Sequence, residues 1–170
     1  MGISRMNHAV LYVRDAARSA SFYRDVLGFA TVASFTGGEF LRAPDSDNDH
    51  DIAFFSIGED ADPSSAGRST VGLYHLAWEV GTLADLAEID QALRQAGALA
   101  GASDHTASKS LYARDPDGLE FEVCWVVPLP LLGDVEAPTA VRPRPLDLAR
   151  EIERFGADTP GGRMTAPATA

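Results

Sequence analysis

The stretch SLYARDPDGLEFEVCW, residues 110–125, decides the fold. It predicts a strand, a tight turn at 115–118 and a second strand, because Asp, Pro and Gly favour turns and the flanking residues favour strands. Side chains alternate between the two faces of a strand, so Glu120 and Glu122 share one face. The opposite face carries the large apolar residues Phe121, Val123 and Trp125. Two carboxylates on one strand face are either the solvated side of a sheet or part of a site.

The rest of the chain places this stretch at the end of an internal repeat. The first copy begins with a strand at His8, continues into a helix that ends at Gly28, and is followed by three probable strands. The second copy begins at His75, its helix ends at Gly97, and three strands follow again. We therefore predict an α+β fold of two βαβββ modules that form a curved mixed sheet.

Residues with short oxygen-bearing side chains mark the helix starts. Asp15 is the predicted N-cap of the first helix, and Thr82 or Asp85 is the predicted cap of the second. The inner side of the first helix is predicted to carry Phe22, Tyr23 and Val26.

The repeat divides the chain into four segments. The first module spans 5–59, a short polar linker 60–70, the second module 71–127 and a Pro/Ala-rich tail 128–170. We interpret the tail as an irregular extension packed on the surface, with a short helix near 146–155 and a disordered end, and a dimer contact is the alternative. We predict that this short helix is amphipathic, with Leu146, Leu148, Ile152 and Phe155 as the apolar residues of its inner side.

Composition narrows the class of protein. A chain of 170 residues, 45% of them apolar, is long enough to bury a core as one globular domain with a tail. Its net charge of −11 disfavours nucleic acid and an anionic membrane surface as partners. The single Cys124 excludes an internal disulfide and a Cys-rich zinc cluster. The N-terminal sequence does not match a signal peptide or a membrane span, so we expect a soluble cytoplasmic protein.

Three polar residues lie on the strand faces opposite the large apolar side chains: His8, His75 and Glu122. Two imidazoles and one carboxylate form the facial triad typical of non-haem Fe(II), and Mn(II) or Zn(II) also accept such ligands. Each residue alone is more often a surface or hydrogen-bonded side chain than a ligand. The matching position of both histidines in the repeat favours metal binding, so we predict a metal site that the curved sheet surrounds.

These motifs resemble the vicinal oxygen chelate superfamily, which includes glyoxalase I, bleomycin and fosfomycin resistance proteins and extradiol ring-cleaving dioxygenases. The resemblance covers roughly residues 5–127 and rests on NHAVLYVRD at 7–15, YHLAWEV at 74–80 and LYARDPDGLEFEV at 111–123. In that family the fourth residue after the Gly of DPDG is a metal-ligating Glu. The resemblance therefore implies Glu122, rather than Glu120, as the ligand.

The resemblance also narrows the reaction. Glyoxalase I and related isomerases place a second carboxylate on the last strand of the first module, and DIAFFSIG at 51–58 has no Glu for that position. Extradiol dioxygenases carry an acid/base His and a Tyr ahead of the final Glu, which His105 and Tyr112 match. The implied activity is Fe(II)-dependent opening of a catechol-type aromatic diol with O₂. His105 would move a proton, and Tyr112 would hydrogen-bond a substrate oxygen.

Several alternatives stay open. The chain could be a metal-dependent isomerase, epimerase or thiol transferase, or a non-catalytic drug-binding resistance protein of the same fold. We expect a homodimer, with each metal site built within one chain or across two. His50, in the acidic run DSDNDHDI at 45–52, is interpreted as a solvated loop residue, with substrate gating as the alternative.

Overall fold

The structure is a computed structural model that describes residues 2–67, 69–132 and 143–162. These residues form nine strands and four helices. They divide into two compact units, the first Met1–Ala66 with Asp115–Leu119 and the second Gly67–Arg114 with Glu120–Ala170. What the sequence predicts for 133–142 and 163–170 lies outside the described residues.

The first unit contains the first βαβββ module. Its elements are β1 (Ala9–Val13), α1 (Ala16–Leu27), β2 (Ala30–Phe35), β3 (Gly38–Arg42) and β4 (Ile52–Ser56). The strands form a four-stranded sheet in the order β1-β4-β3-β2. Strand β1 runs parallel to β4, and the other neighbours are antiparallel, so the sheet is mixed.

Local sequence determines both ends of α1. Asp15 accepts hydrogen bonds from two backbone N–H groups of the first turn, so the predicted N-cap is confirmed. Gly28 ends the helix with a φ of 76°, a left-handed conformation that glycine adopts at low steric cost. Tyr23 is buried on the inner side as predicted, whereas Phe22 and Val26 are half-buried.

The second unit repeats this order. Its elements are β5 (Leu76–Glu79), α2 (Leu83–Gln95), β6 (Leu99–Asp104), β7 (Ser108–Arg114) and β8 (Glu120–Val126), and the C-terminal extension adds β9 (Arg144–Pro145). The sheet order is β5-β8-β7-β6-β9, with β5 parallel to β8 and the other pairs antiparallel. Both residues proposed for the cap of α2 take part, because Thr82 and Asp85 form a capping box.

The α+β class and the twofold βαβββ order are therefore confirmed, with one mixed sheet in each unit. Among the described residues, no helix is both long enough and apolar enough to cross a membrane.

The C-terminal extension is more regular than predicted. Helix α4 (Leu148–Phe155) is the expected short helix, but α3 (Leu129–Leu132) and β9 lie in a segment predicted to be irregular. The end was predicted to be disordered, yet backbone N–H groups of Gly161 and Gly162 donate to carbonyls of the second unit. The physical reason is Trp125, which the extension buries: its ring packs on Phe155 with centroids 5.4 Å apart.

The DPDG turn clusters with the first unit. Asp115 accepts hydrogen bonds from the backbone N–H groups of Asp117 and Leu119, each 2.9 Å long, so it caps its own turn as predicted. Asp117 does more than form a turn, because its carboxylate lies 2.7 Å from the Arg14 guanidinium and 3.2 Å from that of Arg18. These charge-assisted contacts hold the turn from which β8 starts.

Asp115 makes the stability of the fold depend on pH. Burial raises the pKa of this carboxyl from 3.8 to about 6, against the opposing effect of its backbone hydrogen bonds. Between pH 3.8 and about pH 6, the Asp115 carboxyl is protonated in the folded state and ionised in the unfolded state. The stability that Asp115 contributes is therefore present below about pH 4 and is lost by about pH 6, at a total cost of roughly 2–3 kcal/mol.

Urea unfolding of the parent and of Asp115→Asn at pH 4.5, 5.5 and 7 will show this loss. We expect the free energy of unfolding of the parent, relative to the variant, to fall as the pH rises across this range. Taking the difference cancels the titration of carboxyl groups that do not interact with Asp115. A difference that stays constant over these pH values would refute the assignment to Asp115.

Candidate metal centre and proton-transfer pair

Strand β8 separates polar from apolar side chains as its sequence predicts. Its residues alternate strictly between half-buried and buried positions. Phe121, Val123 and Trp125 are all at most 2% exposed and form the core side. Glu120 and Glu122 project from the opposite face, which Cys124 shares.

Glu122 lies beside His75, which immediately precedes the neighbouring strand β5. Register places Ala77 of β5 opposite Glu122, so parallel pairing of the two strands brings the His75 ring to this carboxylate. The distance from His75 Nε2 to Glu122 Oε2 is 3.1 Å. The other ring nitrogen, Nδ1, is buried and has no hydrogen-bond partner among the described residues.

The spacing of this pair suits a divalent metal. Two ligand atoms that bind one ion at about 2.1 Å and at a right angle to each other lie about 3 Å apart. The 3.1 Å between His75 Nε2 and Glu122 Oε2 matches this value, which is also that of a hydrogen bond. An imidazole and a carboxylate are ligands that Fe(II), Mn(II) and Zn(II) all accept.

Glu120 has a different partner although it shares the face of Glu122. Its carboxylate lies 3.6 Å from the Arg114 guanidinium, across the antiparallel pairing of β7 and β8. The Arg114 side chain is 61% exposed, so this is a solvated surface ion pair of small energy. The position of His75, rather than strand alternation, distinguishes the two acids.

His105 and Tyr112, the candidate proton-transfer pair, are hydrogen-bonded to each other in the second unit. His105 Nε2 lies 2.8 Å from the Tyr112 hydroxyl oxygen. Tyr112 is directly opposite Glu122 in the β7–β8 register, and its ring centroid is 5.9 Å from that of His75. Burial raises the pKa of Tyr112 and the negative charge of Glu122 raises it further, so the hydroxyl keeps its proton near neutral pH.

Cys124 is an inert neighbour of this site. Burial raises the pKa of its thiol to about 12, and the charges of Glu122 and Glu79 add to the effect. A thiol with this pKa holds its proton at neutral pH and is a poor nucleophile.

His8 lies in the first unit and is exposed. Its Nδ1 is 2.6 Å from the Asn7 side-chain oxygen, so a proton on Nδ1 is donated to Asn7 and leaves Nε2 free to bind a metal. Sequence reasoning missed its closest ring contact, His50, whose centroid is 4.3 Å away. The parallel pairing of β1 with β4 could have indicated this contact. Ala9 pairs with Ile52, so His8 and His50, which precede these two strands, lie at the same end of the pair.

The structure thus brings together two of the three predicted metal ligands, His75 and Glu122, and joins His105 to Tyr112. His8 belongs to the other unit. Throughout residues 2–67, 69–132 and 143–162, no three His, Cys, Asp or Glu side chains are gathered in a way that could hold a metal ion. The three-ligand site remains a prediction.

Comparison with known proteins gives a consistent family. A family model described as the Glyoxalase/Bleomycin resistance protein/Dioxygenase superfamily matches residues 5–123. The catechol-2,3-dioxygenase of Bacillus subtilis (strain 168) is 30% identical over 123 residues, which are 71% of this chain and 41% of that protein. The chain therefore spans less than half the length of this relative.

Solved structures show the same fold. A glyoxylase/bleomycin resistance protein/dioxygenase domain from Frankia sp. EAN1pec aligns with a TM-score of 0.59 at 22% identity, over 72% of this chain and 92% of that one. A mutant fosfomycin resistance protein from Listeria monocytogenes, solved with Mn(II) and a dihydroxypropylphosphonic acid, aligns with a TM-score of 0.54 at 16% identity. That alignment covers 72% of this chain and 90% of the other.

Proposed function

We propose that this chain, which belongs to the Glyoxalase/Bleomycin resistance protein/Dioxygenase superfamily, is an extradiol dioxygenase that opens a catechol-type aromatic ring with O₂. The observation that carries the proposal is the arrangement around β8 in the second unit. The candidate metal-ligand pair, His75 and Glu122, adjoins the hydrogen-bonded pair of His105 and Tyr112. Ring cleavage beside a diol requires both a metal that binds oxygen atoms and a group that moves the diol protons.

Three residues are proposed to hold the metal: His8, His75 and Glu122. Fe(II) is the proposed ion, and Mn(II) or Zn(II) would accept the same side chains. An iron ion bound there would bring the diol and O₂ side by side and let electrons pass between them. The 3.1 Å spacing of the His75 and Glu122 atoms and the free Nε2 of His8 support this ligand set.

The proton-transfer pair is proposed to act on the diol itself. His105 can accept a proton at Nε2 when a diol hydroxyl replaces Tyr112 as its partner, and can later return that proton to the opened ring. Tyr112 keeps its own proton and can donate a hydrogen bond to a substrate oxygen.

A second copy of the chain is the proposed partner. Edge strand β1 exposes Val10 and Tyr12, which are 50% and 74% exposed, and Tyr74 beside His75 is 70% exposed. Apolar side chains on an edge strand support an interface between copies. A sedimentation experiment that found only the 18.1 kDa monomer would contradict the homodimer.

Oxygen labelling tests the proposed reaction directly. Protein purified without oxygen and loaded with Fe(II) is mixed with a panel of catechols under ¹⁸O₂. We expect one O₂ to be consumed for each diol, and both labelled atoms to appear in a ring-opened product, because a dioxygenase inserts both. His105→Gln should lower kcat by about 10²–10⁴ while iron stays bound.

The alternative functions give different results in the same assay. An isomerase, epimerase or thiol transferase consumes no O₂, and a drug-binding protein converts none of the diols. Iron-loaded protein that takes up no oxygen with any catechol would end the dioxygenase proposal.

A further inference from the structure

The hairpin between β6 and β7 places His105 at its tip and is strained. His105 N–H donates to the Ser108 carbonyl, and Ala107 N–H donates to that of His105. Between them Thr106 has a φ of 69°, a left-handed conformation that a β-branched side chain strongly disfavours. Such strain costs on the order of 1–3 kcal/mol and persists only where surrounding contacts hold it.

Asp104, which directly precedes His105, supplies those contacts. Its Oδ1 atom accepts hydrogen bonds from the Thr106 N–H at 2.7 Å and from Lys109 Nζ at 2.5 Å. Its Oδ2 atom lies 3.3 Å from the Arg144 guanidinium of β9. Burial alone would raise the pKa of this carboxyl, but the hydrogen bonds from Lys109 and Thr106 lower it, so Asp104 stays charged.

The C-terminal extension completes this arrangement. Lys109 is 1% exposed, and its Nζ atom lies 3.0 Å from Glu151 Oε2 on α4. Glu151 is the buried residue of α4, although the sequence pattern predicted apolar residues for the inner side of that helix. We call Asp104, Lys109, Arg144 and Glu151 the Lys109 cluster. Glu151 and Arg144 come from the extension, beyond residue 123 where the family match ends.

We propose that the C-terminal extension positions His105 through the Lys109 cluster. Glu151 fixes the Lys109 ammonium, Lys109 fixes the Asp104 carboxylate, and Asp104 holds the strained Thr106 backbone that sets the direction of the His105 ring. Asp104, Lys109 and Glu151 are thus positioning residues, since none of them contacts Tyr112 or the proposed metal ligands in the described contacts. This inference rests on the proposed function in one respect only, namely that His105 transfers a proton during catalysis.

The test compares Glu151→Ala with a rescue variant and a structural control. Glu151→Asp keeps the carboxylate and should restore the parent behaviour in large part. Phe155→Leu loosens the packing of α4 on Trp125 and removes the ring that lies 5.8 Å from Lys109 Nζ, but it leaves the Glu151 carboxylate in place. It therefore separates loss of packing from loss of the carboxylate. Glu153→Gln, exposed on the same helix, controls for loss of one negative charge.

The first readout needs no metal and no turnover. In metal-free protein labelled with ¹⁵N, we expect Glu151→Ala to shift the His105 imidazole signals and to speed hydrogen exchange of the Thr106 amide. The second readout is kinetic: Glu151→Ala should lower kcat by about tenfold or more with little change in KM, because a proton-transfer group is misplaced while substrate contacts persist. Phe155→Leu and Glu153→Gln should stay within about twofold of the parent.

The two readouts separate the inference from the proposed function. Unchanged His105 and Thr106 signals in folded Glu151→Ala protein would overturn the inference, and so would equal changes in Phe155→Leu. If neither the parent nor any variant opens catechols, the proposed function fails. The NMR and hydrogen-exchange data alone then decide whether the extension positions His105. If the alanine variant does not fold, Glu151→Gln, which keeps the shape of the side chain, carries the same expectations.

Discussion

Glu122→Gln is expected to weaken strongly both the iron binding and the ring cleavage that we propose. The change keeps the size of the side chain but removes the charge that would face the metal, 3.1 Å from His75. A neutral amide is a poor ligand for iron beside an imidazole, so affinity for Fe(II) should fall by at least about 100-fold and turnover by about 10³-fold or more. Calorimetric titration with Fe(II) without oxygen and the ¹⁸O₂ assay measure the two losses.

Glu120→Gln is the matched control for this experiment. It makes the same chemical change on the same strand face, but Glu120 pairs with the solvated Arg114. Loss of that surface pair should change stability by less than about 1 kcal/mol and leave iron affinity unaltered. Equal losses in both variants would show that general charge, rather than ligation, holds the metal. Full iron binding in Glu122→Gln would remove Glu122 from the ligand set.

Local patterns predicted the elements of this fold because each rests on short-range physics. The N-cap at Asp15, the C-terminal glycine at Gly28 and the alternation of β8 depend on residues only a few positions apart. The site could be predicted only in part by the same means. Alternation places Glu120 and Glu122 on one face, and the superfamily motif was needed to choose between them.

Contacts between distant segments could not be predicted from local patterns. The sequence predicts a solvated loop residue at His50, because its neighbour in space, His8, is 42 positions away and no local pattern connects the two. The apolar pattern of α4 predicted leucine and isoleucine for its inner face, but Glu151 is the residue of this helix that is buried. The buried Lys109 explains the exception, because a buried cation without an acid beside it would be strongly destabilising.

Lys109→Met is expected to lower the free energy of unfolding by about 3–5 kcal/mol. The Nζ atom of Lys109 lies within hydrogen-bond distance of two carboxylates, Asp104 and Glu151, and its side chain is 1% exposed. Methionine fills a similar volume, so the loss arises from charge. The two buried acids would face each other with only the largely exposed Arg144 and Arg154, at 3.3 Å and 3.7 Å, to neutralise them. Urea unfolding at pH 7, followed by the fluorescence of Trp78 and Trp125, measures the difference.

The double variant Lys109→Met/Glu151→Leu tests whether that cost is electrostatic. Removing one of the two acids that lost Lys109 should recover part of the lost stability, so the two changes together should cost less than the sum of each alone. Asp104 would keep Arg144 as its remaining cation at 3.3 Å. Arg150→Met, on the exposed side of α4, should change stability by less than about 1 kcal/mol. If the losses from Lys109→Met and Glu151→Leu simply add, the side chains contribute through packing, and the ion pair is not what holds the extension to the sheet.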